Sequence, residues 1–350
     1  MERKEIDITD IKGIQVGHAQ DAEGATGCTV ILCEEGATAS VDVRGGGPAS
    51  RETELLRPEK MVQQVHAVML SGGSAYGLAA ADGAMRYLEE RGKGFDVGVG
   101  VVPIVCGASC FDLVVGSPKA RPDDAMGYAA CLDAAARARA SQGDGAPGIP
   151  MGNVGAGTGA TVGKYRGVGH MMKSGLGIYG LEIDGAQCAA LVVVNALGDV
   201  KDYDTGRTIA GLLTEDGLRL GGTAEAMYED IRLGRDVFGG REGTGPATNT
   251  TLGCIVTNAK LDKSQCSKLA QVAHDGYAKT ISPVHTGVDG DAIFVLATGE
   301  VEVAPDALGA LATEVVGRAV NEAVTGAAPA YRLPAASQFD GQGRRKAPGP

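Results

Sequence analysis

The sequence predicts one mixed α/β domain, of the α+β kind, with its strands and helices in groups. Three observations predict it. Short apolar runs such as "GCTVILC" and "ALVVV" are broken by glycine turns, as strands are. Alanine-rich runs with charged flanks read as helices, and they do not alternate with the strands in a regular series. Glycine accounts for 55 of the 350 residues and aromatics for only 4 %, which suits tight turns and close backbone packing; no every-third-residue glycine period points to collagen. A chain of this length can bury a large core, and no linker separates two cores, so residues 1–335 read as a single domain.

The elements follow in order. "IDITDIKGIQVGH" and "GCTVILCEEGATASVDVRGGG" alternate as short strands. Residues 51–66 have room for short helices. "AVMLSGGSAYGLAAADGAMRYLEERG" is strand, glycine-serine turn and helix, and "VGVGVVPIVCGASCFDLVVG" is again strand-like. Pro122-Asp123-Asp124 opens a helix that runs to residue 140. "SQGDGAPGIPMGN" is a loop, and a hairpin turns at Asp184-Gly185. Residues 205–249 are mixed and end in the loop "GGREGTGPATN". A strand starts abruptly at "TTLGCIVTNA"; helix "SKLAQVAHDGYAKTI", strand "DAIFVLATG" and closing helix "DALGALATEVVGRAVNEAV" follow. Residues 336–350 read as a disordered tail.

Composition excludes several functions. A net charge of −11 disfavours nucleic acid and anionic membranes, whose phosphates require clustered Lys and Arg. No apolar run is long enough to span a bilayer, and "MERKEID" lacks an export segment, so a cytoplasmic protein is expected. The eight cysteines lie in apolar runs and read as buried free thiols. Cys106 and Cys110 have no second pair at zinc spacing, and the five histidines form no H-E-x-x-H, so no metal is expected. "GAGTGATVGK" fails as a phosphate loop because Thr158 stands where a glycine is needed and Tyr165 follows Lys164; no cofactor is expected either.

Some residues carry possible chemistry. "SGGSAYG" resembles a nucleophile elbow, but Tyr76 breaks the G-x-S-x-G frame. It reads as a glycine turn at a helix start whose backbone N–H groups remain open to binding. "GTGPATNTTLGCIVTN" runs a polar loop into a strand at Asn249-Thr250. A threonine hydroxyl needs a base beside it, and a threonine that begins a chain has its own α-amine for that role, near pKa 8. Such a start requires a cut before Thr250. Asp289 and Asp291 lie two apart at a strand start, where two carboxylates can hold an ammonium group, although solvated turn residues have the same spacing. Asn195 ends "ALVVVN", where an amide can stabilise an oxyanion, and Lys164 ends "GATVGK". Each is unremarkable alone.

Taken together, these stretches resemble the P1 family of peptidases. That family comprises the DmpA-like L-aminopeptidase/D-esterases, the β-peptidyl aminopeptidases and the 6-aminohexanoate (nylon) oligomer hydrolases. The likeness runs in order from "DIKGIQVGHAQDAEGATGCTVIL" through "VDVRGGGPASRET", "LSGGSAYGLAAADG", "FDL", "PDDAMGYAAC", "GNVGAGTGATVGK" and "NTTLGCIVTN" to "HTGVDGDAIF". It implies a four-layer αββα sandwich of the type shared with ornithine acetyltransferases, and a self-processing N-terminal nucleophile hydrolase. Thr250 would be the nucleophile and Asn249–Thr250 the cut bond, giving an α subunit (1–249) and a β subunit (250–350). Asn195 would stabilise the oxyanion, and Lys164, preferred to Lys173, would act as the catalytic lysine. Asp289 and Asp291 would orient the Thr250 amine or clamp a substrate ammonium. Phe111, Ser74 and Tyr76 would contact substrate. Phe111 stands where the nylon-oligomer enzyme has a tyrosine, so it can pack against a substrate but cannot donate a hydrogen bond. The implied substrates are short peptides, amino-acid amides or nylon-type oligomers, and the implied assembly is a homo-oligomer, a tetramer of αβ units. Two other readings are an acyltransferase of the ornithine acetyltransferase type and an uncut binding protein.

Overall fold

The computed structural model describes residues 2–140, 148–235 and 249–346. Eight main strands share one sheet: β1 (Gln15–Asp21), β2 (Thr26–Val43), β3 (Gln64–Ser71), β4 (Val105–Ser109), β5 (Leu176–Ile183), β6 (Ala186–Asn195), β7 (Thr250–Ala259) and β8 (Ala292–Val301). The helices are α1 (Ala80–Glu89), α2 (Asp124–Ala140), α3 (Thr223–Leu233), α4 (Lys263–Thr280) and α5 (Pro305–Thr325). The sheet runs β5-β6-β7-β8-β2-β3-β4, with β1 also on β2 and short edge strands at Arg3–Glu5 and Ser50–Arg51. β7–β8 and β3–β4 are parallel pairs, and the crossovers between their strands contain α4 and α1.

β2 turns this sheet into two layers. Its first half pairs with β1 and β3, and its second half pairs with β8, with a register shift between Leu32 and Ala37. The two halves of the sheet then face each other. Ile31, Val68, Leu191, Leu252 and Phe294 fill the space between them. Outside, α4 and α5 cover β5–β8 with Tyr277, Val316 and Val320, and α1 and α2 cover β1–β4 with Ala84, Leu88 and Ala130. The result is the four-layer αββα sandwich implied by the resemblance. Alternation along β7 follows from this arrangement: Leu252, Cys254 and Val256 point between the sheets, and Ile255 points at the helices.

Local chemistry accounts for the element ends. The β5–β6 hairpin turns at Asp184 (φ 47°) and Gly185 (φ 88°), and two positive φ values in succession suit a twisted two-residue turn. α4 begins at a reciprocal cap. The Asp262 carboxylate accepts from Gln265 N–H at 2.7 Å, and Gln265 Oε1 accepts from Asp262 N–H at 2.9 Å. All eight cysteines are buried free thiols.

The structure corrects two expectations. Residues 51–66 hold one short 3-10 turn, Glu54–Leu56, and β3 already begins at Gln64. Within the expected tail, residues 336–346 are folded: Phe339 is buried in the α4/α5 core, and Leu220 and Arg345 N–H groups bond Gly343 and Leu218 carbonyls at 3.0 and 2.8 Å. One aromatic ring with backbone partners at 218–220 is enough to fasten a polar segment. The loops expected at 141–147 and 236–248, and tail residues 347–350, lie outside the described residues.

Candidate active site

Thr250 is the first residue of β7, and Asn195 is the last of β6. The antiparallel register places them directly opposite each other. Opposed residues of an antiparallel pair share a face with Cβ atoms about 5 Å apart. That face is the one that points between the sheets, where Val193 and Leu252 lie next along the same pair of strands. Both side chains are buried.

The bond before Thr250 is held on both sides. Asn249 N–H donates to Val288 C=O at 3.0 Å, and the Asn249 carbonyl accepts from Gly290 N–H at 2.8 Å. The Thr250 hydroxyl donates to that same carbonyl. The nucleophile candidate therefore sits against the carbonyl it would attack, which already carries a backbone donor. A Cβ on Gly290 would lie 2.7 Å from Thr250 Oγ1, so only glycine fits there. Sequence reading missed Gly290; its signal was the glycine between the two aspartates.

Lys164 is buried, and its ammonium donates to the Asn195 side-chain oxygen at 2.6 Å and to the Asn195 carbonyl at 3.0 Å. Thr161 N–H adds a bond to the same side-chain oxygen at 3.1 Å, and Asn195 Nδ2 donates to Phe111 C=O at 2.9 Å. The Asn195 amide is thus oriented from both ends. Burial lowers the Lys164 pKa to about 8, against the opposing pull of Cys110, Asp289 and Asp112. Lys173 is also buried, but its ammonium is occupied by the carbonyls of Gly157, Ala160 and Ser174. Burial lowers its pKa to about 7, and of the two lysines Lys164 is the one that bonds Asn195.

Asp289 and Asp291 are buried, not solvated turn residues. Asp289 accepts from Leu197 N–H at 3.3 Å, from Thr286 N–H at 3.1 Å and from the Thr286 hydroxyl. Burial, then the charge of Asp291, raises its pKa to about 6. Asp291 accepts from Thr251 N–H at 2.7 Å and pairs with the His285 ring at 2.8 Å. The two carboxylates hold different segments. The "RGGG" motif cradles their turn: Arg44 N–H bonds Asp291 C=O at 2.9 Å, and Gly47 N–H bonds Asp289 C=O at 2.8 Å. A side chain on Gly45 would run into that backbone.

The expected substrate contacts divide. Phe111 joins the cluster through its carbonyl. The turn N–H groups are not open: those of Gly72, Gly73 and Ser74 bond Gly27 C=O, Asp112 Oδ1 and Cys110 C=O at 2.9, 2.7 and 2.9 Å. Tyr76 is 59 % exposed, and its ring partner is the Arg121 guanidinium at 3.6 Å, not the Thr250 cluster. Among the described residues no group of three or more His, Cys, Asp or Glu is placed to hold a metal ion, and no helix is long and apolar enough to cross a membrane.

The four-layer αββα sandwich is a fold that solved peptidase structures share. The structure of the L-aminopeptidase D-Ala-esterase/amidase of Ochrobactrum anthropi, described as a variant of the N-terminal nucleophile hydrolase fold, superposes with a TM-score of 0.65 at 18 % identity, covering 96 % of this chain and 91 % of that one. A Burkholderia sp. beta-aminopeptidase superposes with a TM-score of 0.62 at 19 % identity, covering 92 % and 86 %. The family model described as peptidase family S58 matches residues 7–338. An uncharacterized aminopeptidase of Mycobacterium leprae is 42 % identical, over 93 % of this chain and 92 % of its own length. A 6-aminohexanoate-oligomer endohydrolase of Kocuria sp. is 30 % identical, over 90 % and 84 %. The chain belongs to peptidase family S58, and with it to the amide-bond hydrolases.

Proposed function

We propose that this chain is a self-processing amide hydrolase whose nucleophile is Thr250. One observation carries the reading: the Thr250 hydroxyl lies on the Asn249 carbonyl, which Gly290 N–H already polarises. In maturation, Thr250 Oγ attacks the Asn249 carbonyl carbon. Gly290 N–H takes the developing oxyanion, and the Asn195 amide stands beside it. The C–N bond breaks, the Thr250 nitrogen leaves as an amine with the hydroxyl proton, and an ester joins Asn249 to Oγ. Water then cuts the ester, leaving an Asn249 carboxylate and a restored Thr250 hydroxyl.

In turnover the freed α-amine draws the proton from Oγ, which attacks a substrate amide. The leaving amine takes the proton, and water releases the acid. The positive charge of Lys164, held through Asn195, lowers the proton affinity of the α-amine and keeps it a base near neutral pH. Asp291 and Asp289 fix the backbone around Thr250. Phe111 and Ser74 are expected to flank the substrate. The relatives' names support short peptides, amino-acid amides or 6-aminohexanoate oligomers as substrates. The resemblance supports a homo-oligomer, a tetramer of αβ units.

Intact mass under denaturing conditions tests the reading. Two species of roughly 25 and 10 kDa are expected, in proportion to 249 and 101 residues, with the smaller beginning at Thr250. A single 35.5 kDa species after long incubation would remove the N-terminal nucleophile.

A further inference from the structure

On the helix side of β7, Asp291 joins a polar cluster whose other members the proposed reaction leaves unused. Thr251 points away from Thr250, as successive strand residues do. Its N–H is held by Asp291 Oδ1 at 2.7 Å. The other Asp291 oxygen accepts from His285 N–H at 3.1 Å and meets His285 Nδ1 at 2.8 Å. A carboxylate only accepts, so Nδ1 carries the proton and donates. The His285 ring packs edge-on to His274 at 4.8 Å between centroids and lies 6.2 Å from Tyr277. Tyr277 reaches in from α4, and its hydroxyl lies 2.5 Å from where a Cβ of Gly253 would stand.

This is costly construction. His285 Nε2, His274 Nδ1, Tyr277 OH and Thr251 Oγ1 are buried with no protein partner. His285 also holds a left-handed backbone, φ 57°, that non-glycine residues seldom adopt. A residue kept for stability alone would carry neither burden, and strain of this kind persists where the surroundings fix a geometry. What His285 fixes is a carboxylate one bond from the peptide that follows the nucleophile.

We propose that His285 is a positioning residue for Thr250: its Nδ1–H sets the Asp291 carboxylate, which holds Thr251 N–H and so sets the nucleophile against its target carbonyl. This inference rests on Thr250 being the nucleophile. His285→Asn places an amide N–H₂ where Nδ1 lies and tolerates the left-handed backbone, whereas His285→Gln places its amide where Nε2 lies. The assay follows self-cleavage by intact mass, and kcat and KM of the mature enzyme on an amino-acid p-nitroanilide, beside thermal midpoints.

His285→Gln is expected to slow cleavage and kcat by about tenfold or more at nearly constant KM, with His285→Asn keeping most of the rate. Equal rates for both variants and the parent, or an Asn variant as slow as Gln, would overturn the proposal. If both variants misfold, Asp291→Asn decides it, because its amide N–H₂ cannot accept the His285 Nδ1–H: a loss of about threefold or more in cleavage at unchanged thermal midpoint supports the His285–Asp291 contact, and an unchanged rate overturns it. Thr250→Ala separates the two readings. If it still cleaves, the nucleophile assignment falls and this inference with it; if it stays whole while His285→Gln behaves like the parent, only this inference falls.

Discussion

At the residue scale, the site is a set of buried polar groups, each oriented by partners on another segment. Asn195 is the clearest case, with its oxygen on Lys164 and its nitrogen on the Phe111 carbonyl. Asn195→Ala leaves the Lys164 ammonium short of its nearest acceptor and removes the amide beside Thr250. Loss of one oxyanion donor is worth about 3–4 kcal/mol, so cleavage and turnover should both slow by roughly a few hundredfold, read by intact mass and steady-state kinetics. Asp289 makes a prediction about stability. Its folded pKa, about 6, stands above the ordinary 3.8. The folded protein therefore binds this proton more tightly than the unfolded chain does. The contribution is fully present below the ordinary value and is lost as pH rises through about 6. Against Asp289→Asn in an uncut Thr250→Ala background, the parent's urea midpoint should fall between about pH 4 and about pH 7; parallel curves would refute it. Thr250, Asn195, Lys164 and both aspartates are unremarkable one by one in the sequence; the ordered resemblance singles them out, and the structure brings them near one another. Lys164 is preferred to Lys173 because it ends the glycine-rich "GAGTGATVGK" stretch, but the sequence does not show what either ammonium touches. The structure adds that contact: Lys164 bonds Asn195, and Lys173 is surrounded by three carbonyls.

At the element scale, the important unit is the turn between α4 and β8. It carries Gly290 N–H to the Asn249 carbonyl, and the glycines after Arg44 hold it from behind. Gly290→Ala would set a methyl 2.7 Å from Thr250 Oγ1. The expected result is a folded chain that remains at full mass, with a thermal midpoint within a few degrees of the parent, about 1–3 kcal/mol of overpacking at most. Normal cleavage would show that the turn is free to move aside. This partnership was not legible in the sequence, because residues 44–47 and 286–291 meet only through the β2–β8 pairing. The elements themselves were legible. The Asp184-Gly185 hairpin and the abrupt start of β7 declare themselves by local chemistry, whereas α4 begins at its Asp262 cap, ahead of the Ser267 start read from the sequence. Residues 51–66 misled because their charge spacing suits a helix, while the strand after them is set by pairing with β2. The tail misled because a single buried Phe339 outweighs a polar composition.

At the scale of the whole molecule, β7 lies inside the sheet. β6, from before the proposed cut, flanks it on one side, and β8, from after it, on the other; β8 in turn pairs with β2. Parting the two pieces would open the β6–β7 and β8–β2 ladders and strip Leu252, Phe294 and Leu191 from the layer between the sheets. The pieces should therefore co-elute in native size exclusion and separate only in denaturant. A free fragment of roughly 10 kDa in native buffer would contradict this account of the core. Composition foretold a glycine-rich α/β protein, but the two layers come from β2 changing partners midway, which no local pattern encodes.

Thr250 stands at the first position of a central strand, and this has one more consequence. A chain end is ordinarily its loosest part and the first to be trimmed. Here the end created by the cut would be paired with Asn195 across the ladder, with the next N–H held by Asp291. An exopeptidase could engage it only by peeling a strand out of the middle of the sheet. The enzyme's working amine would thus be shielded from the kind of attack to which free amino termini are most exposed.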